Sequence, residues 1–286
     1  MINNIFLKQI EKYNPNNIEG IKNSMKEVLQ DIILSGLGKS DFFKKAVFYG
    51  GTSLRIFRNL PRFSEYLDFT LIENDKEFEL SKYFPFIKKE LESLNLEFDI
   101  RQKEKRIETT VESCYFCFNL KRLFEISYPE LSDKIISNES LNIKIEIEKN
   151  SFLGGVTEMK LLTYPSLVQV RTFNMETLFA SKLIAVLNRK WKTRVKGRDF
   201  YDYLFYISES VSVNMIFLEN GLRKFGYLND NEKYDINRLK IDLKNRFEEI
   251  DFNNAINDVK PFISNEDRII QSFNKDIFIA SIDLIK

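Results

Sequence analysis

The hydrophobic period changes for the rest of the chain near residue 174, and that change constrains its architecture more than any other feature. Before it, strand-like alternation is interspersed with helical stretches. After it, apolar residues recur at helical spacing and no strand pattern returns. The clearest strand is Leu141-Asn-Ile-Lys-Ile-Glu-Ile-Glu148, with Ile143, Ile145 and Ile147 on one face. Residues 94–100 alternate similarly, and the run around Cys114 and Cys117 is rich in β-branched and aromatic residues. Residues 19–35 set Ile21, Met25, Val28, Leu29, Ile32 and Ile33 on one helix face, with Gly36 and Gly38 ending the helix. Ala46-Val-Phe-Tyr49 reads as a strand running into Gly50-Gly51, followed by a short helix over 52–58 and a strand over 67–71. Residues 84–93 suit a helix with Pro85 in its first turn, and Gly154-Gly155 suggests a hairpin turn. Asn174 is a good N-cap for a helix through Arg189, and another helix starts about Asp199. The expected class is α+β: a mixed-sheet domain over residues 1–165, then a helical domain over 166–286.

Composition narrows the function. There are 26 Phe and 12 Tyr, enough rings to fill a core, so a disordered chain is excluded. Lys plus Arg number 43 against 42 acids, so any contact with a polyanion must come from a local patch. There is no histidine, which removes imidazole triads and every zinc site that needs a His ligand. Two cysteines build neither a disulfide framework nor a four-thiolate site. Their C-x-x-C lies on a strand pattern, where positions three apart point to opposite faces, against a redox pair. The start lacks the apolar core of a signal peptide, and no run approaches the ~18 apolar residues of a membrane span. A cytoplasmic protein with no membrane partner is expected.

Three constellations carry chemistry. In the first, Gly50-Gly51 between strand and helix allows a sharp turn and leaves amides to hold a phosphate, with the hydroxyls of Thr52 and Ser53 as further donors. Asp68, on the next strand, is placed to hold a divalent metal against that phosphate. In the second, Lys182 lies on an apolar helix within reach of a triphosphate, and Asp199 and Asp202 stand three apart at a helix start, where either caps the helix or serves as a general base. The third is a basic run holding Lys190, Trp191, Lys192, Arg194, Lys196 and Arg198, with no acid; it suits phosphates, with Trp191 able to stack on a base.

Gly50-Gly-Thr-Ser-Leu-Arg55, Arg62-Phe-Ser-Glu-Tyr-Leu-Asp-Phe69, Ala180-Ser-Lys182 and Arg198-Asp-Phe-Tyr-Asp-Tyr203 occur in that order. Together they resemble the AbiEii-type nucleotidyltransferase toxins of type IV toxin–antitoxin and abortive-infection systems. The resemblance implies a polymerase-β-like nucleotidyltransferase domain with a mixed sheet, joined to a C-terminal helical-bundle domain, with the nucleotide in the cleft between them. It also implies an NTP substrate, Mg²⁺ (or Mn²⁺) as cofactor, an RNA acceptor such as tRNA, and a cognate antitoxin. Asp68 matches the second acid of the family's D-x-D, and Glu146, on the polar face of its strand, is the candidate third, with Glu148 as rival.

One departure stands out: Tyr66 occupies the place of the first D-x-D acid. A phenol with pKa ~10 brings no negative charge at neutral pH, so weakened metal binding and impaired transfer are expected. The alternative reading is a non-catalytic nucleotide- or RNA-binding protein that keeps the same cleft.

Overall fold

The computed structural model describes residues 2–102, 110–189, 195–263 and 267–286. In chain order, helices α1 (Ile2–Glu11), α2 (Ile18–Gly38) and α3 (Phe42–Lys45) lead into strand β1 (Ala46–Tyr49) and helix α4 (Gly50–Arg58). Then come β2 (Tyr66–Leu71), α5 (Phe84–Ser93), β3 (Asp99–Gln102), β4 (Val111–Asn119), α6 (Leu120–Ser127), β5 (Ser140–Glu148), β6 (Thr157–Leu162) and β7 (Val168–Phe173). Helices follow: α7 (Met175–Asn188), α8 (Gly197–Ser208), α9 (Met215–Lys224), α10 (Ile236–Glu248), α11 (Phe252–Val259), α12 (Arg268–Gln271) and α13 (Lys275–Ser281). No described helix is long and apolar enough to cross a membrane. The class is α+β, as the periodicity predicts.

Seven strands form one mixed sheet in the order β3-β4-β5-β2-β1-β7-β6. β1 runs antiparallel to β2 and parallel to β7; β2 runs parallel to β5, which pairs antiparallel with β4. The alternation of β5 buries Leu141, Ile143, Ile145 and Ile147, each fully buried aliphatic chain contributing roughly 1.5–3 kcal/mol.

Two compact units interleave along the chain. One comprises Met1–Thr52, Ser64–Ser151 and Met159–Thr172; the other comprises Ser53–Phe63, Phe152–Glu158 and Phe173–Lys286. The period change marks where the strands end, and two short earlier segments belong to the helical unit. In the sheet unit, Phe42 makes edge contacts at 5.0 Å with both Phe69 and Tyr83. In the helical unit, Phe179 stacks on Tyr206 at 4.7 Å, and Phe247 meets Phe278 at 5.1 Å.

Several local expectations change. Of the two glycines expected to end α2, Gly38 does and Gly36 lies inside the helix. A Cβ on Gly36 would lie 2.6 Å from the Ile87 α-carbon, so this glycine lets α5 approach closely. The strand expected over 94–100 begins only at Asp99, after Asn95 at φ +54. Gly154-Gly155 makes no hairpin, because β5 and β6 are not sheet neighbours; Gly155 instead packs on Phe173 and Phe217. Both cysteines are buried and free.

Candidate functional site

In the sheet unit, β1 delivers the chain to Gly50 at φ +79, a left-handed conformation that glycine adopts without steric cost. Glycine is needed there for a second reason. A Cβ would stand 2.8 Å from Asp68 Oδ2, so the carboxylate occupies the space that a side chain would fill. α4 starts at this point, and its first amides, at Gly51, Thr52 and Ser53, belong to the set that a helix leaves without internal partners. The hydroxyl of Thr52 is not aimed at a ligand. It is buried, donates to the Tyr66 carbonyl and lies 2.9 Å from Ser64 Oγ, tying the start of α4 to the start of β2. Ser53 is buried too.

Parallel pairing of β2 with β5 sets Tyr66 beside Lys144 and Asp68 beside Glu146. Residues two apart share a face of a strand, so these four side chains form one block. Lys144 Nζ lies 2.6 Å from Glu146 Oε1, 5.5 Å from the Tyr66 ring centroid and 5.7 Å from that of Tyr115. Burial disfavours the charge of Lys144, but hydrogen bonding to Glu146 and its negative charge hold the ammonium above its ordinary pKa. Tyr66 is 37% exposed. The rival Glu148 accepts from the Asn150 amide (2.9 Å) and the Thr110 hydroxyl (3.2 Å), which gives it a local structural task.

These residues do not fit a resident divalent cation. Among the described residues, no group of three acids or cysteines is placed to hold a metal. Asp68 and Glu146 are neighbours, but Glu146 carries the Lys144 ammonium and a phenol stands at position 66.

In the helical unit, Lys182, Asp199 and Asp202 come together as expected, joined by a residue to which the sequence reading gives no role. Arg62 donates from Nε and Nη2 to the two oxygens of Asp202, at 2.6 and 2.7 Å. Lys182 Nζ lies 2.8 Å from both Asp202 and Asp199, and Arg189 pairs with Asp199. Asp202 is 0% and Arg62 3% exposed. Burial alone would raise both carboxyls. Arg62 and Lys182 hold Asp202 below its ordinary value, and Lys182 and Arg189 do the same for Asp199. Both carboxylates are held as counter-ions to Lys182, Arg62 and Arg189 in this structure. Nothing near Arg62 in sequence signals its partner, which lies 140 residues away.

The basic run divides. Lys190, Trp191, Lys192 and Arg194 lie outside the described residues. Burial first, and Arg189 next, push the Lys196 ammonium below its ordinary pKa. Arg198 packs its guanidinium over the Phe262 ring at 4.2 Å and faces Asp258 at 4.0 Å, so it is not part of an exposed patch.

The family model described as "Nucleotidyl transferase AbiEii toxin, Type IV TA system" matches residues 32–273. The chain belongs to the AbiEii nucleotidyltransferase toxin family. The AbiEii chain also shares its fold with MenT4, the nucleotidyltransferase toxin Rv2826c of Mycobacterium tuberculosis H37Rv. The TM-score is 0.60 at 14% identity, covering 97% of this chain and 88% of MenT4. JHP933 of Helicobacter pylori aligns at a TM-score of 0.49 and 17% identity, over 91% of this chain and 89% of that one. A comparison with curated protein sequences finds no match. All four motifs fall within the span that the AbiEii model covers.

Proposed function

We propose that this AbiEii protein is a toxin that binds a nucleoside triphosphate at the Gly50–Ser53 turn and transfers its nucleotidyl group to an acceptor hydroxyl on an RNA such as tRNA. The observation that carries this reading is the seating of Asp68 against the α-carbon of Gly50. It sets a carboxylate beside helix amides suited to phosphate. In transfer, the acceptor oxygen would attack the α-phosphorus, and the bond to pyrophosphate would break. Asp68 is the group placed to orient the attacking hydroxyl and take its proton. Lys182 and its carboxylates are assigned to positioning α7 and α8, because both acids already hold the ammonium. Mg²⁺ has no resident site in this account. A cognate antitoxin is the protein partner that the family context suggests.

Incubation with each labelled NTP, Mg²⁺ or Mn²⁺, and total RNA tests the reading. Label should enter RNA with the native chain and not with Asp68→Asn; equal labelling by both would remove Asp68 from the reaction. A second reading, a protein that binds nucleotide without transferring it, is favoured by the phenol at position 66. Binding of an NTP with no labelling under either metal would establish it.

A further inference from the structure

The geometry points to Lys144 as the cation that receives the phosphates of a bound nucleotide, so that binding on this face needs no divalent metal. The inference rests on the nucleotide reading above and names the charge that takes the metal's place. Register is the first support. Lys144 lies beside Tyr66, and the next pair on the same face is Asp68 with Glu146, so the ammonium shares a face with the carboxylate that seats against Gly50.

Positioning is the second. Lysine is normally a mobile point charge on a flexible stem. Here a carboxylate at 2.6 Å and two ring faces within 6 Å hold it, and 20% of its side chain is exposed. Glu146 occupies one of three ammonium donors.

Charge is the third. An acid at position 66 would pair with Lys144 across the strands and quench it. The phenol offers a ring face instead, so Lys144 meets one carboxylate, Glu146, rather than two, and keeps donors for a phosphate oxygen. The substitution that spoils a metal site is therefore the one that suits a fixed lysine.

Calorimetry with ATP, GTP, CTP, UTP and inorganic tripolyphosphate, in EDTA and again in Mg²⁺, tests this on the full chain. The native protein should bind at least one NTP with affinities in the two buffers that agree within about threefold. Lys144→Met should weaken that binding in EDTA by roughly ten- to a hundredfold, the size of a charge-assisted hydrogen bond, and Lys144→Arg should recover most of it. Thermal melting of each variant separates a binding loss from misfolding. Binding that requires Mg²⁺ in the native chain would overturn the inference while leaving the nucleotide reading intact. So would a folded Lys144→Met that binds like the native protein. If no NTP binds in either buffer, the nucleotide reading falls and this inference falls with it. Tyr66→Asp combined with Lys144→Met supplies the converse: any binding that remains should rise at least tenfold on adding Mg²⁺, and a double variant indifferent to Mg²⁺ counts against Lys144 as the metal's replacement.

Discussion

The block on the sheet face and the network in the helical unit use the same chemistry, carboxylates set against Lys and Arg, under different degrees of burial. Around Asp202 every charge is cross-bonded and Asp202 itself is sealed from water. Around Asp68 one acid pairs with one lysine, and a phenol stands partly open to solvent. A buried, fully paired set resists change because removing one partner strands another charge in low dielectric. A half-exposed block lies where a ligand from solvent can reach it. Burial, more than residue type, separates the two sets.

Breaking the buried network should have the largest effect. Arg62→Met leaves Asp202 buried with Lys182 alone and should cost about 3–5 kcal/mol, read as a lower urea midpoint. The depressed pKa values of Asp199 and Asp202 mean that their stabilisation is present above the ordinary carboxylate value and lost as pH falls through the folded values. Arg62→Met should therefore lose its deficit in strong acid; a deficit that persists unchanged there would show that packing, not charge, is the source.

On the sheet face the effects should fall on activity. Asp68→Asn should lower nucleotide transfer by about 10²-fold or more and shift stability by only about 0.5 kcal/mol; melting and labelling assays separate the two. Adding Tyr66→Asp to Lys144→Met should raise Mg²⁺-dependent transfer by roughly tenfold, because it restores a carboxylate to a strand position where Mg²⁺ needs oxygen ligands, with no ammonium beside it to pair with. Asp68→Ala in that background should abolish the gain. Unchanged transfer on adding Tyr66→Asp would show that position 66 does not govern the chemistry.

A third acid sharpens the contrast. Asp31 on α2 is only half-buried as a residue, unlike Asp202, and its Oδ1 is shielded from water with no hydrogen-bond partner among the described residues. Burial and the neighbouring Glu27 raise its pKa well above the ordinary value, against a smaller opposing pull from Lys12. Near it, Tyr164 is pushed up to about 12, by burial first and then by Asp31. The sign is opposite to that of Asp202: the folded state holds a proton that the unfolded state releases, so stability falls as pH rises above about 4. Asp31→Asn should gain roughly 1 kcal/mol at pH 8 and little at pH 4.5. Equal gains at both pH values would place the effect in packing.

Much of this was legible from local pattern. Strand Ala46–Tyr49, helix Phe84–Ser93 and the Asn174 cap, whose side chain accepts from the Thr177 amide, follow from short-range period and turn chemistry. The pairing of Asp68 with Glu146 was less so, because a face is readable from alternation but a register between distant strands is not. Lys144 sat unremarked on the polar face of a recognised strand, and only pairing with Tyr66 gave it significance. Arg62 with Asp202 had no local signal at all. Leu94 to Phe98 misled because alternation persists where Asn95 turns the backbone.

The parallel pairing of β2 with β5 also has a consequence in time. β1 and β2 are close in the chain and can pair early, whereas β5 emerges about 70–80 residues after β2, roughly 4–16 s later at 5–20 residues per second. Until then Asp68 stands on a bare strand edge with neither Glu146 nor Lys144 beside it. A chain growing on the ribosome therefore lacks the assembled face of the toxin through that interval, and it gains that face only when the nine residues of β5 dock in register.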